Sequence, residues 1–243
     1  MNFKEDGDSV TQGWKDPITA RIWDTSGDKI NPTRGEQLDI LVYLLAEFIH
    51  RGEWILDLGY GSGKVEELIF ERIPHSQVIG IDNSEAMAQL ALECLSPYAN
   101  RFIPLYGDLA ELSKLQLPVS EIGAVIAIQS LHHLSAQDMQ KAYRHIHSFL
   151  RPGGIFLLLD RLKVEDEVVF PLFRSVWKRL DGYHGSETAP EEGDSFAIHE
   201  TTLQEEGDFP VNLETHLAWL RECEFHTTTL HVHGNRGLIA AVK

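Results

Sequence analysis

The segment over residues 54–64, with the sequence WILDLGYGSGK, constrains the fold of this chain more than any other. Its apolar start predicts a buried strand that ends in Asp-Leu-Gly. Three glycines then alternate with Tyr60 and Ser62, and an amphipathic helical pattern follows at once. Such glycines permit positive φ angles and close contact between a ligand and the backbone, and the helix start offers unpaired N–H groups. This order predicts a nucleotide-type pocket at the carboxyl edge of a parallel sheet.

A second strand end strengthens this signal. The glycine spacing is Gly-x-Gly-x-Gly, which differs from the Gly-x-Gly-x-x-Gly expected for a dinucleotide pyrophosphate. Residues 78–82, with the sequence VIGID, form another apolar run that ends in an acid. Asp82 follows Gly63 by 19 residues, where such folds place the carboxylate that accepts ribose hydroxyls.

Apolar runs and helical patterns alternate through the middle of the chain. Helices are expected over residues 62–72, 84–95 and 135–150. The alternation predicts a parallel sheet that is covered on both faces, with right-handed crossovers. The expected strand ends are Asp57, Asp82, Tyr106, Ile128 and Asp160.

The flanking segments carry their own signals. Thr33 and Glu36 match a capping box, and an apolar stripe over residues 38–49 predicts a helix. Pro171 fits the first turn of another helix, with Gly182 as its terminator. A loop rich in Gly, Ser and acids follows. The last expected elements are a helix over residues 212–223 and strands over residues 226–233 and 237–242.

Five motifs in this order resemble those of the class I S-adenosylmethionine-dependent methyltransferases, particularly the small-molecule branch. The resemblance runs from about residue 18 to residue 243. It implies an α/β, Rossmann-like, doubly wound fold with a mostly parallel seven-stranded sheet, an antiparallel last strand and a helical lid insertion. The motifs are the glycine loop at 55–63, GIDNS at 80–84, YGDL at 106–109, AIQSLHHL at 127–134 and LRPGG at 150–154.

The resemblance also implies a division of the chain into four parts. Residues 1–33 are expected to form an N-terminal lid segment, and residues 34–163 a cofactor-binding core. Residues 164–211 are expected to be a substrate-lid insertion. Residues 212–243 are expected to add a helix and the last two strands of the core.

The implied cofactor is S-adenosyl-L-methionine. The glycine motif is expected to cup its methionine part, Asp82 to hold its ribose and Asp108 to meet its adenine amino group. Asp57 either orients the donor's ammonium group or caps loop amides. Trp23 stands where many relatives have a Tyr that folds over the cofactor. The expected contacts are Trp23, Asp57, Gly59, Tyr60, Gly61, Ser62, Asp82, Asn83, Met87, Gly107, Asp108, Leu109 and Gln129.

The protein is expected to catalyse the reaction mainly by aligning the acceptor with the methyl group of the cofactor. A general base is needed only where the acceptor atom carries a proton. His132 and His133 follow the fourth strand, so the candidate bases are His133, His132 and Tyr60. Packing at a helix entry is the alternative for the histidines. Tyr60 replaces a usually small residue, and packing against the N-terminal lid is the favoured role of its ring.

No metal site is expected from the sequence. His231 and His233 share one face of a predicted strand, but no carboxylate or thiol partner is signalled nearby. The stretch from Asp181 to Asp208 contains nine carboxylates and no Lys or Arg. This stretch is either a negatively charged entrance to the site, which attracts a cationic acceptor, or, more simply, a solvated acidic loop.

Composition narrows the function classes. With 21 Lys and Arg against 37 Asp and Glu, the net charge of −16 argues against nucleic acid as a partner. No apolar run reaches the length of a membrane span, and no signal peptide is visible. Cys94 and Cys223 both fall on predicted helices, which favours core thiols in a reducing compartment and a cytoplasmic protein. The sequence does not predict the oligomeric state.

The predicted function is methyl transfer from S-adenosyl-L-methionine to an O, N or C atom of a small molecule. One alternative is an NAD-dependent oxidoreductase, which the glycine spacing disfavours. Another is a non-catalytic binder that senses the cofactor or docks a basic protein. A third uses a carboxylated sulfonium donor, for which Arg174 or Arg179 would have to supply the cation.

Overall fold

The structure is a computed structural model, and it describes residues 16–21, 31–185 and 195–243. The strands are β1 (Trp54–Leu58), β2 (Val78–Asp82), β3 (Phe102–Tyr106), β4 (Ile122–Ile128), β5 (Leu150–Arg161), β6 (His226–His233) and β7 (Arg236–Val242). The α-helices are α1 (Arg34–Phe48), α2 (Lys64–Arg72), α3 (Glu85–Cys94), α4 (Ala136–Phe149), α5 (Phe170–His184), α6 (Phe196–Glu206) and α7 (Leu213–Glu222). Short 3-10 helices cover Ser96–Tyr98, Leu109–Lys114 and Leu131–His133.

The seven strands form one sheet in the order β3-β2-β1-β4-β5-β7-β6. Only β7 runs against its neighbours, since it pairs antiparallel with both β5 and β6. This confirms the predicted mostly parallel sheet with an antiparallel last strand. The strand order reverses between β1 and β4, so a crevice opens beyond the carboxyl ends of these two strands, where open α/β sheets bind ligands.

The sheet has an apolar core on each face, as expected for parallel strands. On one face, α1 and α2 cover Ile55 of β1, with Leu41 and Ile69 fully buried there. On the other face, α4 and α7 cover Leu56, with Tyr143 fully buried there. Alternate side chains of one strand therefore feed the two cores.

The predicted helix boundaries are largely confirmed, because local caps fix them. Ser84, Ser135 and Asn212 each precede a helix and accept a hydrogen bond from the backbone three residues on. The capping box predicted at Thr33 is wrong. Thr33 makes no side-chain cap, since its hydroxyl donates to Oδ1 of Asn31 at 3.0 Å instead.

Helix α5 begins with Pro171 in its first turn, as predicted, but Gly182 does not end it. The helix continues to His184 and ends at Gly185, which adopts the left-handed conformation with φ 67°. Gly182 lies in the exposed last turn, where a glycine costs only about 1 kcal/mol and stays helical. The terminator is the glycine whose backbone turns, three residues later.

Helix α6 was not predicted. Ser195 caps its start by accepting from the Ile198 amide, and Gly207 ends it with φ 71°. Its sequence has no apolar stripe and no buried residue, so periodicity gave no signal. Much of the acidic stretch that precedes it, residues 186–194, lies outside the described residues.

The segment between β5 and α7 has a small core of its own. Phe170, Trp177 and Leu180 are buried there, and the Phe196 ring packs 5.6 Å from that of Phe170. The Trp177 indole also donates to Asn235 in the β6–β7 turn at 3.3 Å. Trp177 and Phe196 thus serve this core. Tyr183 and His184 are exposed.

The state of the cysteines and the apolar character of the helices bear on what composition predicts. Within the described residues, neither Cys94 nor Cys223 forms a disulfide, and each is half-buried. Among the described residues, no helix combines the length and the apolar character that crossing a bilayer requires.

Candidate active site

The glycine loop after β1 borders both packed protein and open space. Gly59 adopts φ 91°, and a Cβ there would lie 2.5 Å from Cβ of Ser130. Gly61 adopts φ 55°, and a Cβ there would meet no atom within 4 Å. The amide of Gly61 donates to Oδ2 of Asp82 at 3.0 Å. The loop is therefore packed at its first glycine and open at its second, next to the acid that ends β2.

Asp82 is held by backbone groups at the end of β2. Its Oδ1 accepts from the Ser84 amide at 2.8 Å, while its Oδ2 accepts from Gly61. Burial raises the pKa of Asp82, and the amide hydrogen bonds oppose this rise. Asn83 beside it is exposed, and Met87 one turn into α3 is buried. The carboxylate of Asp82 is thus held in position by the protein itself, without a ligand.

Asp57 of β1 lies against Glu66 of α2, a residue that the sequence analysis missed. Both are buried, and apart from each other their Oδ1, Oε1 and Oε2 atoms have no hydrogen-bond partner among the described residues. Burial raises the pKa of Asp57 to about 6, and burial together with the charge of Asp57 raises the pKa of Glu66 well above its usual range. The pair therefore holds a proton near neutral pH and offers its oxygens to a cation.

The third motif lies beside Asp82 at the end of β3. The Gly107 amide donates to the carbonyl of Asp82 at 3.0 Å, which fixes the two strand ends together. The exposed Asp108 caps the following 3-10 helix by accepting from the Ala110 amide at 2.8 Å. Leu109 is half-buried against the core. The carboxylate of Asp108 thus combines a local capping role with exposure to solvent.

Gln129 ends β4 in an unusual conformation. It has φ 54°, one of two positive values among the described non-glycine residues. Its amide donates to the carbonyl of Leu159 at 2.8 Å, and the hydroxyl of Ser130 donates to the carbonyl of Leu58 at 2.5 Å. Such a conformation costs roughly 1–3 kcal/mol and is concentrated at functional sites. It turns the chain sharply beside the glycine loop.

The two histidines after β4 meet acids from distant parts of the chain. Nδ1 of His132 pairs closely with Oδ1 of Asp160, at the end of β5, and the His132 amide donates to Oδ2 of Asp160 at 3.0 Å. Nδ1 of His133 lies 3.0 Å from Oδ1 of Asp208. Burial lowers the pKa of His132. Burial would also lower the pKa of His133, but the hydrogen bond and charge of Asp208 raise it.

Two arginines complete this end of the sheet. Arg161 pairs through Nη1 with Asp208 and, at 3.1 Å, with Glu206. Arg236 is half-buried, and burial together with the charge of Arg161 lowers its pKa to about 9. Its Nη1 has no hydrogen-bond partner among the described residues. Neither arginine was singled out by the sequence analysis, since both lie at strand ends with no motif around them.

Tyr60 takes the packing role rather than facing the crevice. A Cβ on Gly80 would lie 2.5 Å from its Cδ1 atom, and its ring packs edge-on against Phe102 at 5.4 Å. Burial raises the pKa of its phenol, which disfavours a base. Its described contacts are with β2 and β3, and most of the N-terminal segment, against which packing is predicted, lies outside the described residues. Trp23 of that segment lies outside the described residues.

Most of the predicted site residues meet at one edge of the sheet. The glycine loop with Ser62, Asp82 with Asn83, and the Gly107–Asp108 turn follow three adjacent strands. Gln129, His132 and His133 follow β4 on the other side of the crevice. The residues missed were Glu66, Asp160, Arg161, Asp208 and Arg236.

The fold and this edge define a class of protein. The sheet is Rossmann-like, and its strand order reverses at β1. A glycine loop follows β1 and an acid ends β2, and the two are joined by a hydrogen bond. Enzymes with this arrangement bind a nucleoside cofactor at the point where the strand order reverses.

Comparisons with known proteins narrow the class. Residues 55–154 match a family model described as a methyltransferase domain. The chain is 28% identical over 159 residues to a carboxy-S-adenosyl-L-methionine synthase of Shewanella sediminis, covering 63% of each chain. It is 31% identical over 134 residues to the synthase of that name from Shewanella loihica, covering 53% of this chain and 54% of the relative. The chain thus spans under two thirds of the length of these relatives.

A solved structure agrees in fold. An O-methyltransferase family protein from Burkholderia thailandensis superposes with a TM-score of 0.70 at 13% identity, covering 97% of this chain and 63% of that one. Residues 55–154 are thus similar to a methyltransferase domain, and the chain as a whole has the fold of this O-methyltransferase family protein.

The residues present fit the cofactor of this class, S-adenosyl-L-methionine. Its ammonium group needs acceptors, and Asp57 and Glu66, from the strand before the glycine loop and the helix after it, have oxygens with no hydrogen-bond partner outside this pair among the described residues. Its ribose needs a carboxylate, which Asp82 provides beside the open space at Gly61.

Proposed function

We propose that this protein transfers a methyl group from S-adenosyl-L-methionine to an O, N or C atom of a small-molecule acceptor. The observation that supports this most is the junction of Gly61 and Asp82, where an amide and a carboxylate meet beside open space at the switch point. When bound, the cofactor supplies a methyl group on a sulfonium, which is a good leaving group. The protein then has to hold the two reactants in line and keep water out.

The proposed cofactor contacts follow from the positions of the chain's own groups. Asp57 and Glu66 accept from the ammonium group, and Asp82 accepts from the ribose hydroxyls. Asp108 meets the adenine amino group at the end of β3. Gln129 closes the other side of the crevice, where its strained backbone directs the chain across the mouth. The remaining members of the proposed set are Gly59, Ser62, Asn83, Met87, Gly107 and Leu109.

For an acceptor that carries a proton, the proposed base is His133. Asp208 orients its ring from 3.0 Å, and its side chain is 27% exposed, so it can reach an acceptor. His132 is nearly buried and bound to Asp160, which suits a supporting role. The ion pair of His133 with Asp208 would stabilise the imidazolium that forms when the ring takes the proton.

The activity can be tested without knowing the acceptor. The protein is incubated with methyl-labelled S-adenosyl-L-methionine and fractionated metabolite extracts, and labelled products are separated by chromatography. We expect S-adenosylhomocysteine and at least one labelled product with the wild type, and much less of both with Asp82→Ala when the donor is limiting. Binding of the donor without any labelled product would favour a non-catalytic binder. Calorimetric binding of NAD but not of S-adenosylhomocysteine would favour an oxidoreductase.

The names of the relatives favour a second candidate, formation of a carboxylated S-adenosylmethionine. In this reaction a carboxyl-donating co-substrate would supply the carboxylate, and the methyl carbon would lose one proton as the new carbon–carbon bond forms. This reaction needs a cation near the methyl carbon to hold the added carboxylate. Arg174 and Arg179, the candidates from the sequence, lie on α5, where Arg179 is exposed. Arg161 and Arg236 lie at the site but already face Asp208 and Asp160. Mass spectrometry distinguishes the two functions, since a carboxylated donor retains its methyl carbon and gains mass, whereas methyl transfer leaves S-adenosylhomocysteine.

A further inference from the structure

Three side chains beside the crevice form a group with the composition of a metal site. His132, His133 and Asp208 each offer one ligand atom, and these atoms all lie within 4.8 Å of one another. Oδ1 of Asp208 is 3.5 Å from Nε2 of His132 and 3.0 Å from Nδ1 of His133. With zinc–ligand bonds of about 2.0–2.1 Å, tetrahedral ligand atoms lie about 3.4 Å apart. Two of the three separations therefore already lie close to the spacing that a metal ion requires.

The bond between His132 and Asp160 fixes which nitrogen of His132 faces this group. An ionised carboxylate only accepts hydrogen bonds, so Nδ1 of His132 carries the hydrogen that it shares with Asp160. Nε2 of the neutral ring then has a lone pair, and it faces an oxygen of Asp208, which is also an acceptor. Two acceptors that face each other are unfavourable unless a proton or a metal ion lies between them. A carboxylate behind a histidine is the usual support of a metal-binding imidazole.

The third ligand is held in the same way. Arg161 binds Oδ2 of Asp208 through Nη1, which leaves Oδ1 directed at the two rings. The amide of Phe209 donates to the carbonyl of His132 at 2.6 Å, so the segment that carries Asp208 is attached to the segment that carries the histidines. The supporting contacts of a metal site are thus in place around two of the three ligands.

We propose that His132, His133 and Asp208 bind one divalent transition-metal ion, with Asp160 as a positioning residue. Two imidazoles and one carboxylate suit Zn²⁺, Co²⁺ or Fe²⁺ and leave positions open for water or another ligand. The 27% exposed side chain of His133 provides the route from solvent, since the other two ligands are almost buried. This inference concerns metal binding and does not rest on the proposed methyl transfer. The two roles of His133 exclude each other, so His133 acts as the proposed base only in the metal-free protein, where its Nδ1 pairs with Asp208.

A metal-free ion-pair network is the competing account. In it, His133 carries a proton at Nδ1 and pairs with Asp208, and Nε2 of His132 faces Asp208 with no ion between. Both accounts use the same hydrogen bonds around Asp160 and Arg161. They differ in whether the full chain takes up a metal ion with these three residues as ligands.

The decisive measurement is calorimetric titration of Zn²⁺ into the full chain after its metal has been stripped with a chelator. We expect one high-affinity equivalent, with an affinity at least tenfold lower in His133→Ala and in Asp208→Asn. Asp160→Asn should lower the affinity about 10–100-fold and keep the stoichiometry, since it acts through His132. His231→Ala is the matched control, because His231 and His233 also form a stacked pair of rings, 6.5 Å apart. It should leave the affinity unchanged.

A second measurement keeps the test valid if a variant unfolds. X-ray absorption at the zinc edge of the wild-type protein should show two imidazoles and an oxygen ligand, and Co²⁺ should give visible bands typical of low coordination. Absence of a tight equivalent in the wild type would overturn the proposal. So would a zinc shell without two imidazoles, or a tight equivalent that folded Asp208→Asn and His133→Ala retain and His231→Ala loses.

Discussion

The amide of Gly61 donates a hydrogen bond to Oδ2 of Asp82 at 3.0 Å, so the glycine loop of β1 and the acid of β2 are joined before a ligand arrives. Asp82 also accepts from Ser84 through Oδ1. The carboxylate therefore cannot swing away from the crevice without breaking two hydrogen bonds. This preorganisation is the basis of its proposed role in holding a ribose.

Replacing Asp82 should weaken nucleoside binding strongly. Hydrogen bonds to a charged group contribute about 1.5–3 kcal/mol, so Asp82→Ala should lower the affinity for S-adenosylhomocysteine by roughly 10–100-fold. Isothermal titration calorimetry measures this change. Asp39→Asn, which alters an exposed acid on α1, is the control and should bind as the wild type does. Unchanged affinity in Asp82→Ala would exclude the proposed position of the cofactor.

Binding should also release protons, because Asp57 and Glu66 share a buried site. The pKa of Asp57 is raised to about 6 in the free protein, chiefly by burial. An ammonium group beside it favours the ionised carboxylate, so its pKa falls on binding and protons leave at a pH just below 6. The observed enthalpy of S-adenosylhomocysteine binding should therefore vary with the ionisation enthalpy of the buffer. Asp57→Asn should remove this dependence, and its persistence there would assign the protons to another group.

The strand ends and helix starts could be predicted from the sequence because residues next to them in the chain determine them. The strand ends at Asp82, Tyr106 and Ile128 follow from apolar runs that stop at polar or turn residues. The helix starts after Ser84 and Ser135 follow from caps that need only three residues. Thr33 shows the limit, since Asn31 competes for its hydroxyl and the capping pattern alone does not reveal this.

Glu66 was not predicted to be a site residue, although the sequence around it indicates that its side chain is buried. Ile69, Phe70 and Ile73 follow it at three, four and seven residues, and all three are buried. A carboxyl in the apolar stripe of a helix is a candidate for a buried functional group. The adjacent Glu67 is half-buried, so the pair of acids looked like a solvated helix face.

The partners of the two histidines had no such signal. Asp160 and Asp208 lie 28 and 75–76 residues beyond them, and only strand order and the return of the chain after α6 bring them together. Asp208 also stands at the end of a long acidic stretch, where nothing distinguishes it from its neighbours. Contacts made by tertiary packing need the fold, which explains why the candidate metal ligands could not be predicted.

The imidazole of His133 should titrate above its usual pKa of about 6.5 because of Asp208. In Asp208→Asn the stabilising negative charge is absent, so the pKa of His133 should fall. NMR titration of the metal-free protein measures both values. Glu222→Gln, an exposed change on α7, is the control and should leave the titration of His133 unmoved. An equal pKa in wild type and Asp208→Asn would contradict the pairing.

A buried hydrogen bond far from the loop should contribute to stability. The hydroxyl of Tyr143 on α4 donates to Nδ1 of His216 on α7 at 2.6 Å, and both residues are fully buried. Burial lowers the pKa of His216 to about 4, so the ring is neutral and accepts. Tyr143→Phe leaves that nitrogen unpaired and should lower the free energy of unfolding by about 1–3 kcal/mol in urea denaturation. Tyr183→Phe, on an exposed ring, should change it little.

Two glycines of the loop provide a paired test that separates folding from ligand binding. In Gly59→Ala, the new Cβ would lie 2.5 Å from Cβ of Ser130, in addition to the strain of φ 91°. In Gly61→Ala, the new methyl group meets no protein atom within 4 Å, so only the left-handed backbone, at about 1–2 kcal/mol, opposes it. Gly59→Ala should therefore be the less stable variant in thermal unfolding.

For ligand affinity, we expect Gly61→Ala to be the more strongly affected of the two variants. The open space at Gly61 lies where the proposed cofactor contacts the loop, so a methyl group there should displace the ligand while the protein stays folded. We expect Gly61→Ala to lose at least tenfold in S-adenosylhomocysteine affinity with a modest loss of melting temperature. A folded Gly61→Ala that binds S-adenosylhomocysteine as tightly as the wild type would show that the ligand does not contact this backbone. The space beside Gly61 would then need another occupant, and the proposed function would lose its main structural support.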